Sequence, residues 1–444
     1  MELNIEEYTR VFEKMEVENG LFKLRTKDGI FFWDIARYTI FNHVYRKFIN
    51  LDDSYDTKHR KNFKEYLIIS KNLINDIKYL RKSREKEYLF YINSRTVLDG
   101  KYIDLVSHDL LSRLEEHSFI IESFPIKTGF YSNSGLRLIK RFNKLIHLTQ
   151  KEPVSQKVDR IIKTTFSINV SLNNLVTQII NDFRIEKSYY RNILIRLGST
   201  KVFFIHNGVQ KALIAAANDL NIKTIELQHG AINEFHPLYH YPSTIIKEIP
   251  SYIIIPDFFL TFSDYWNKAT NYPAKTKIPI GNSHYYNKSI MDLKEKSGVT
   301  FISANIYQTK IEEYIDFILE HCPTVHLNLK LHPNQLNNKD RILRKYTNSN
   351  NVSVYYNEIT VSELLKKTQI VVLISSTVAY EAIQTGSRVV IIKDADSYFL
   401  KDLFTHPSVY LIEQPDDLLR LELKEPVNTT YFEKFDEHLF QYFK

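Results

Sequence analysis

The most constraining feature of this chain is a strict alternation between short β-branched or aromatic runs and longer amphipathic segments over residues 202–412. The runs predict strands at 202–205, 223–227, 258–262, 299–303, 325–331, 352–356, 370–374, 388–392 and 408–412. The segments between them predict helices at 209–220, 309–321, 361–367 and 377–385. Strands that alternate with helices form parallel sheets covered by helices on both faces. The sequence therefore predicts an α/β fold.

The chain length and a break in this alternation predict two domains. A chain of 444 residues exceeds what one core usually supports, and the alternation breaks at 279–290. Further strands are predicted at 87–92 and 119–124, whereas helical patterns dominate the first 85 residues and 136–195, apart from a short hairpin at 22–33.

We therefore predict a Rossmann-like domain with helical insertions at 1–280, which begins with a helical N-terminal extension, and a second Rossmann-like domain at 281–425. A closing aromatic helix, predicted at 430–443 within residues 426–444, is expected to pack back toward the first domain. We expect the two domains to face each other across a cleft, because ligands of α/β sheets bind at the carboxyl ends of the strands.

Composition excludes several classes of protein. The chain is 43% hydrophobic and 25% charged, which is typical of globular proteins. The single cysteine, Cys322, cannot form an intramolecular disulfide, and the amino terminus lacks a signal-peptide pattern, so we expect a cytoplasmic protein without a membrane span. Because no Cys/His cluster has zinc-ligand spacing and no helical His-x-x-x-His pattern occurs, we expect neither a metal nor a cofactor.

The net charge of +7 is concentrated in two segments. Residues 58–86 contain ten Lys or Arg and three acidic residues, and residues 136–145 contain basic residues and no acidic one. Such amphipathic helices are either solvated faces of core helices or surfaces that bind anionic membranes, here the inner face of the cytoplasmic membrane. Nucleic acid is not an expected partner, because no recognition motif accompanies the charge.

Hydroxyl side chains follow the predicted strand at 370–374. Ser375, Ser376 and Thr377 stand where the next helix begins. A helix N-terminus has unpaired amide donors and favours anions, so these hydroxyls predict a phosphate site. The alternative is that they only cap the helix. Glu381, within two turns, either binds a ribose diol or is an ordinary exposed residue.

A histidine ends another strand in the second half. In the segment Lys330-Leu331-His332-Pro333 the proline holds His332 in extended geometry, and the imidazole can donate to a phosphate oxygen. A loop histidine without a ligand is the alternative. We expect this strand end to lie beside the one at 370–374, so that His332 and Pro333 contact the same phosphate while Lys330 or Lys393 offsets its charge.

Gln228-His229-Gly230, after the strand at 223–227, is the distinctive motif of the first half. Glycine permits positive φ or close backbone approach, and His229 is a candidate acid, base or electrophilic donor. A packing histidine in a tight turn is the alternative. The loop that follows is rich in titratable and aromatic groups suited to sugar recognition. We expect an acceptor to contact Gln228, His236 and Tyr239, with Glu234 a second candidate for catalysis.

Polar residues earlier in the chain have two readings. Asp34, Arg37 and Arg95, together with Asp104, either bind an acceptor or form structural Asp–Arg pairs, and Asp34 is also a candidate catalytic carboxylate. For Asp264 and Trp266 the same two interpretations, ligand contact or a structural role, stay open.

These motifs resemble those of bacterial GT-B glycosyltransferases of capsule and lipopolysaccharide assembly. The resemblance is carried by Gln228-His229-Gly230, by Lys330-Leu331-His332-Pro333 and by Ser375-Ser376-Thr377 with Glu381. The His-Pro and Ser/Thr pair is similar to that of sialyltransferases and Kdo transferases, which implies contact with the phosphate of a CMP-activated sugar. The resemblance covers residues 200–395 by motif and the first 200 by architecture. It implies that the second domain binds the nucleotide sugar and the first the acceptor.

The leading hypothesis is metal-independent transfer of a sugar from a CMP- or UDP-type nucleotide sugar to a glycan or glycolipid acceptor of capsule, O-antigen or lipooligosaccharide. His229, Glu234 and Asp34 are the candidate catalytic groups for an oxocarbenium-like transition state. The alternatives are a nucleotide-sugar epimerase, a polyol-phosphate transferase, or a scaffold without catalysis in a polysaccharide assembly complex.

Overall fold

The computed structural model divides the chain into two compact units. One, called here the N-terminal unit, comprises Tyr8–Pro279 with Glu437–Lys444, and the other, the C-terminal unit, comprises Met1–Glu7 with Ile280–Asp436. The structure describes residues 4–49, 63–94, 96–98, 101–123, 129–146, 153–247, 250–289, 296–303, 307–332, 335–356 and 358–443.

The N-terminal unit contains a parallel sheet of six strands. Its strands are β1 (Tyr88–Ile92), β4 (Ser118–Glu122), β5 (Lys201–Ile205), β6 (Lys223–Leu227), β7 (Phe258–Leu260) and β8 (Thr276–Ile278), and a separate antiparallel pair is formed by β2 (Thr96–Leu98) and β3 (Lys101–Ile103). The order β4-β1-β5-β6-β7-β8 reverses direction between β1 and β5, where Phe90 pairs with Phe203. Ligands of open α/β sheets bind beyond the carboxyl ends of the strands at such a reversal.

Helices cover this sheet and form the N-terminal helical region. They are α1 (Ile5–Glu18), α2 (Trp33–Phe48), α3 (Phe63–Lys82), α4 (His108–Leu114), α5 (Ser134–Ile146), α6 (Val154–Phe166), α7 (Asn173–Leu197), α8 (Asn207–Asp219), α9 (Ser243–Lys247) and α10 (Asp264–Lys268). Val202, Phe203 and Phe204 of β5 are fully buried, as expected for a central parallel strand packed on both faces. The 25-residue α7 packs against α8 over the same core.

The C-terminal unit contains a second parallel sheet of six strands. Its strands are β9 (Val299–Ile302), β10 (Leu327–Lys330), β11 (Val352–Tyr355), β12 (Ile370–Leu373), β13 (Arg388–Ile392) and β14 (Val409–Ile412), and its helices are α11 (Ser283–Ser289), α12 (Gln308–His321), α13 (Leu336–Tyr346), α14 (Val361–Leu365) and α15 (Val378–Gln384). The order β11-β10-β9-β12-β13-β14 is the doubly wound arrangement, with its reversal between β9 and β12. The predicted α/β class is confirmed: two parallel-sheet units, with a helical region at the N-terminus.

One sequence-based expectation about this sheet is wrong. The strand that ends before His332, β10, and the strand that ends before Ser375, β12, are not neighbours, because β9 pairs with both of them. Two strand spacings separate β10 from β12, which is about 10 Å. The cause is topological: the chain starts at β9, winds outward to β11 on one side, and then returns to the other side of β9.

The closing helix is shorter than predicted. Residues 421–436 have no regular structure, and helix appears only in α16 (Glu437–Phe440) with a 3-10 turn at Gln441–Phe443. The Phe432 carbonyl accepts from Gln384 Nε2 (2.8 Å) and the Asp436 amide donates to the Ile280 carbonyl (2.8 Å), so the helical hydrogen bond between Phe432 and Asp436 does not form. Gly281, at φ +76°, lies so close to the Lys434 carbonyl that a Cβ would overlap it. The last turn packs Phe443 against Phe203 and Phe258 of the N-terminal unit.

No helix among the described residues has both the length and the apolar composition needed to cross a bilayer.

Candidate functional site

Two histidines stand at adjacent strand ends of the N-terminal unit. His206 follows β5 and His229 follows β6, and their ring centroids are 4.9 Å apart. His206 has a left-handed backbone (φ 65°, ψ 74°), a conformation that non-glycine residues rarely adopt. Sequence reasoning missed His206, although it follows a strand just as His229 and His332 do.

A buried carboxylate lies behind these histidines. Glu226, in the middle of β6, is fully buried and accepts hydrogen bonds from the hydroxyls of Tyr239 (2.8 Å) and Tyr272 (2.7 Å) and from the Asn207 amide (3.0 Å). Burial raises the pKa of this carboxyl. Sequence reasoning missed Glu226 too; its signal is an acidic residue inside an otherwise apolar buried strand.

Tyr239 connects this carboxylate to His229. Its hydroxyl also lies 3.1 Å from His229 Nδ1, and its side chain is fully buried. The expectation that Tyr239 contacts an acceptor is therefore revised: Tyr239 lies behind His229, with no exposed surface to offer a sugar.

His236 is held as a neutral imidazole. Its ring is parallel to that of Tyr38 (interplanar angle 2°, centroids 6.2 Å apart), and its Nδ1 accepts a hydrogen bond from the Leu238 amide at 3.3 Å. Burial, reinforced by the charge of His206, lowers the pKa of His236 to about 3. Because Nδ1 accepts, the proton is on Nε2, and His236 can act as a neutral donor to a sugar hydroxyl. Tyr38 comes from α2, and no sequence signal identified it.

Glu234 is exposed on the same loop. Its negative charge contributes to the environment of Glu13 on α1, whose pKa is raised to about 7, chiefly by burial and also by Glu16 and Glu234, against the lowering effect of Arg37. His240 Nε2 lies 3.5 Å from Glu13 Oε1. Glu234 thus stays a candidate, and Glu13 is a titratable neighbour that sequence reasoning did not identify.

The side chain of Gln228 is used to hold the turn. Its Nε2 donates to the Gly230 carbonyl (2.8 Å), its Oε1 accepts from the Phe262 amide (2.9 Å), and only 1% of the residue is exposed. The expected acceptor contact is therefore replaced by a structural role. Gly230 does not have positive φ, and no described atom lies within 4 Å of the position that a Cβ would take, so neither expected reason for a glycine applies there.

Asp34 does not lie at a substrate surface. It is buried, and its carboxylate accepts from Lys211 Nζ (2.9 Å), the Tyr241 hydroxyl (2.8 Å) and the Ile254 amide (2.9 Å). These three donors satisfy the charge, so we withdraw Asp34 as a catalytic group.

Arg37 is likewise structural. It is 3% exposed, forms a buried ion pair with Glu16, and donates to the carbonyls of Pro237 and His240. It holds the loop that carries His236 but is not placed to bind an acceptor. Arg95, the third acceptor candidate of this region, lies outside the described residues.

Three other residues, for which the sequence left a ligand role or a structural role open, make contacts typical of a structural role. Asp104 accepts from the Ser107 hydroxyl and the Val106 amide, and Asp264 pairs with Lys268 on the surface. Trp266 is 1% exposed and belongs to the core.

In the C-terminal unit, the hydroxyl residues lie beside the reversal of the sheet. β12, which they follow, is the strand next to β9. Ser376 Oγ accepts from the Val378 amide at 3.3 Å, whereas Ser375 is half-buried and Thr377 is exposed. Thr377, the residue before α15, makes no side-chain capping bond, so only the Ser376 hydroxyl is bonded to the start of this helix, and Ser375 and Thr377 remain candidates for ligand contact.

His332 is exposed at the end of β10 and is positioned by a buried amide. Its backbone amide donates to Gln335 Oε1 (2.9 Å), and the Ser303 hydroxyl donates to the same oxygen (2.5 Å). Partial burial lowers the pKa of His332, so a neutral imidazole is favoured near pH 7. Gln335 links the ends of β9 and β10, and sequence reasoning missed it. Pro333 lies outside the described residues.

Both lysines expected to offset phosphate charge have protein partners instead. Lys330 is 8% exposed and donates to the Tyr356 carbonyl, and Lys393 pairs with Glu413. We therefore withdraw Lys330 from the donor site. Side-chain direction explains the error: the sequence placed Lys330 at the strand end but did not indicate which way it points.

Glu381, on α15, is half-buried. Burial raises the pKa of this carboxyl and the charge of Lys288 on α11 lowers it, so the two side chains are electrostatic neighbours. The ribose contact expected for Glu381 stays a prediction.

The comparisons with known proteins concern the C-terminal unit and the fold. A family model described as "Capsule polysaccharide biosynthesis protein" matches residues 289–398. No curated protein matches the sequence. Among solved structures, the chain resembles the UDP-GlcNAc 2-epimerase from Neisseria meningitidis bound to UDP-GlcNAc (13% identity, 75% of this chain, 89% of that chain, TM-score 0.43). It also resembles the UDP-GlcNAc 2-epimerase from Methanocaldococcus jannaschii in complex with UDP-GlcNAc and UDP (10% identity, 80% and 99% covered, TM-score 0.47). A third is MurG from Acinetobacter baumannii (13% identity, 75% and 89% covered, TM-score 0.39). These likenesses concern the fold alone.

Proposed function

We propose that this chain is a glycosyltransferase of bacterial surface-polysaccharide assembly, which transfers a sugar from a nucleotide-sugar donor to a glycan or glycolipid acceptor. One observation carries the proposal. The capsule-biosynthesis match at 289–398 spans β9 and β12, the two strands that flank the reversal of the second sheet, together with the hydroxyl residues that follow β12. Ligands of doubly wound sheets bind at that position.

In this proposal the C-terminal unit binds the donor. The phosphate of the nucleotide is contacted by Ser375 and Thr377, which follow β12, and by His332 and Pro333, which follow β10 in the sequence. Glu381 binds the ribose. A neutral His332 contributes an N–H donor to the phosphate oxygen as negative charge develops on the leaving group. The nucleotide is of the CMP type, which the resemblance of the motifs implies, or of the UDP type.

The N-terminal unit provides the group that activates the acceptor. His229 is the candidate base and Glu234 the alternative, while His236 supplies a neutral donor beside them. No step of this mechanism uses a metal ion. The clustering of these histidines supports this assignment: His206 and His236 both lie against the Tyr38 ring, and His206 lies against His229.

Nucleotide binding and acceptor-dependent turnover test the proposal. The full chain is heated in the presence of CMP, UDP, GDP or dTDP, since a ligand that binds the folded protein raises its melting temperature. It is then incubated with the matching nucleotide sugar, with and without oligosaccharides from bacterial capsule or lipopolysaccharide. We expect stabilisation by one nucleotide and nucleotide release only when acceptor is present.

Three other results contradict glycosyl transfer. An epimerised nucleotide sugar formed without acceptor identifies an epimerase. Release of CMP with phosphate retained on the product identifies a polyol-phosphate transferase. Absence of both nucleotide binding and turnover, while the protein remains folded, favours a scaffold.

An anionic membrane surface is a second proposed partner. On α3, Ile74 (56% exposed) and Ile77 (44% exposed) lie on one helical face with the exposed Lys78 and Arg81, at spacings of three and four residues. This combination of apolar and basic side chains suits the headgroup region of an anionic bilayer. The basic residues of α5 are less available, since Lys140 pairs with Asp182 and Glu186.

Vesicle binding tests this surface. The protein is expected to sediment with phosphatidylglycerol vesicles and not with phosphatidylcholine vesicles, and Ile74→Asp with Ile77→Asp should abolish sedimentation. Ile195→Asp is the matched control, because Ile195 is 53% exposed on α7. Equal sedimentation of both variants contradicts the assignment.

A further inference from the structure

A chain of three hydrogen-bonding groups leads from the interior of the N-terminal unit to His229. Glu226 Oε1 lies 2.8 Å from the Tyr239 hydroxyl, and the same hydroxyl lies 3.1 Å from His229 Nδ1. Glu226 and Tyr239 are 0% exposed, so water does not compete for these contacts. The three residues come from the strand β6, from the turn after it and from the loop that Arg37 anchors.

The position of one proton follows from this geometry. A tyrosine hydroxyl has one proton to donate, and an ionised carboxylate can only accept. Tyr272 donates to Glu226 Oε2 at 2.7 Å and the Asn207 amide donates to Oε1 at 3.0 Å, so the carboxylate is surrounded by donors that stabilise its charge. Burial raises the pKa of Glu226, whereas these hydrogen bonds lower it. With Glu226 ionised, Tyr239 gives its proton to the carboxylate, and the Tyr239 oxygen accepts one from His229 Nδ1.

We propose that Tyr239 and Glu226 are positioning residues that fix His229 as the Nδ1–H tautomer, which leaves Nε2 as the basic nitrogen. This inference rests on the proposed glycosyl transfer and specifies how His229 acts in it. The acceptor O–H bond breaks and an Nε2–H bond forms. The oxygen electron pair forms the bond to the anomeric carbon, and the donor phosphate leaves with the electron pair of the bond that it loses.

The carboxylate has a second effect in the same step. Once Nε2 has taken the proton, the imidazolium is positive, and Glu226 compensates this charge through the Tyr239 hydroxyl. A buried charge pair connected by hydrogen bonds interacts more strongly than one in water. The His229 imidazole is accordingly a stronger base than an imidazole that lacks the hydrogen bonds to Tyr239 and Glu226.

The structure offers a matched pair of variants. Tyr239→Phe and Tyr272→Phe each remove one hydroxyl donor from Glu226, but of these two hydroxyls it is that of Tyr239 that lies 3.1 Å from His229 Nδ1. A purely structural role for Tyr239 predicts the same result for both variants. The proposed role predicts that the tautomer and the basicity of His229 change in Tyr239→Phe alone.

The test measures the protonation of His229 directly and then through turnover. Nitrogen-15 NMR of the full chain, with the His229 signals assigned by their loss in His229→Gln, should show the proton on Nδ1 in the wild type and in Tyr272→Phe. In Tyr239→Phe we expect a mixture of tautomers and a lower pKa for His229. We also expect kcat of that variant to fall about 10-fold to 100-fold with an unchanged KM for the donor, as for other residues that orient a functional histidine.

Two results would overturn the proposed role of Tyr239 and Glu226. A wild-type His229 with its proton on Nε2 overturns the proposal even where Tyr239→Phe does not fold. Equal tautomers and equal pH dependence of kcat in the two phenylalanine variants overturn it as well, while loss of turnover in His229→Ala would still support glycosyl transfer. If no transfer occurs in the wild type, the proposed function fails, and the NMR result alone decides whether the tautomer is fixed as we infer.

Discussion

Arg37 and Glu16 form a buried ion pair, with Arg37 Nε 2.6 Å from Glu16 Oε1 and the side chains 3% and 0% exposed. The same guanidinium donates to the Pro237 and His240 carbonyls, 200 and 203 residues further along the chain. The pair therefore connects the N-terminal helices to the loop that carries His236 and Tyr239.

Breaking this pair should destabilise the N-terminal unit. Arg37→Met leaves the Glu16 carboxylate buried without its partner, which typically costs roughly 3–5 kcal/mol. Both tryptophans of the chain, Trp33 and Trp266, are buried in this unit, so their fluorescence during urea denaturation follows its unfolding. Lys14→Met, which breaks a pair whose side chains are 72% and 61% exposed, is the control and should change stability by less than about 1 kcal/mol. Equal shifts for the two variants would contradict the role of Arg37.

Asp34→Asn separates a structural role from a catalytic one. Removing its charge leaves the buried ammonium of Lys211 unpaired, so the free energy of unfolding should fall by a few kcal/mol, roughly 3–5. The kcat for sugar transfer, measured well below the melting temperature, should change less than about 10-fold. A loss of about 100-fold or more would instead restore Asp34 as an acid–base group.

His332→Ala tests the donor site. We expect turnover to fall about 100-fold, because one preorganised donor to the leaving phosphate is lost. His326→Ala is the matched control: His326 is exposed just before β10, whereas His332 follows the other end of that strand. Initial rates at saturating donor are the measurement, and similar rates for the two variants would remove His332 from the site.

Glu13→Gln should stabilise the protein in a pH-dependent way. With its pKa raised to about 7 from 4.5, the Glu13 carboxyl binds more protons in the folded than in the unfolded chain between these values. Stability of the wild type therefore falls as pH rises from about 4.5 to about 7, and the variant lacks this loss. Urea denaturation at pH 4.5 and pH 8 should show a larger advantage of Glu13→Gln at pH 8.

Glu18→Gln provides the comparison for that experiment. Glu18 lies on the same helix with its side chain 61% exposed, so its substitution should have a similar effect at both pH values. If Glu13→Gln behaves like Glu18→Gln, the raised pKa is not a property of the folded protein.

Much of the fold could be predicted from the sequence because strand and helix periodicities are local. The strand predicted at 223–227 coincides with β6, and the helix predicted at 309–321 differs from α12 by one residue. Continuous hydrophobic runs indicate central parallel strands, because helices cover both faces of a parallel sheet. The prediction of the closing helix was wrong for the opposite reason. Gln384 and Ile280, distant in sequence, bond the Phe432 carbonyl and the Asp436 amide that a helix would pair with each other.

The candidate site was predictable only in part. His229 and His332 were found because each belongs to a short polar motif after an apolar strand, whereas His206, which follows β5 alone, was missed. Tyr38 carries no such pattern, since it lies in an ordinary amphipathic helix and reaches the site only through the packing of α2. For Asp34 and Arg37 the sequence left acceptor binding and a structural pair open, because burial of a charge depends on partners such as Lys211, 177 residues away from Asp34.

The sequence by itself determined that this chain forms two parallel α/β sheets and which polar residues follow their strands, because these properties depend on neighbours within a few positions. Only the tertiary structure decided that β9 separates the strands of His332 and Ser375, because strand order depends on how the chain winds rather than on local pattern. It also decided that Glu226 supports His229 through Tyr239, because side chains on a strand, a turn and a loop meet only when the whole unit has folded.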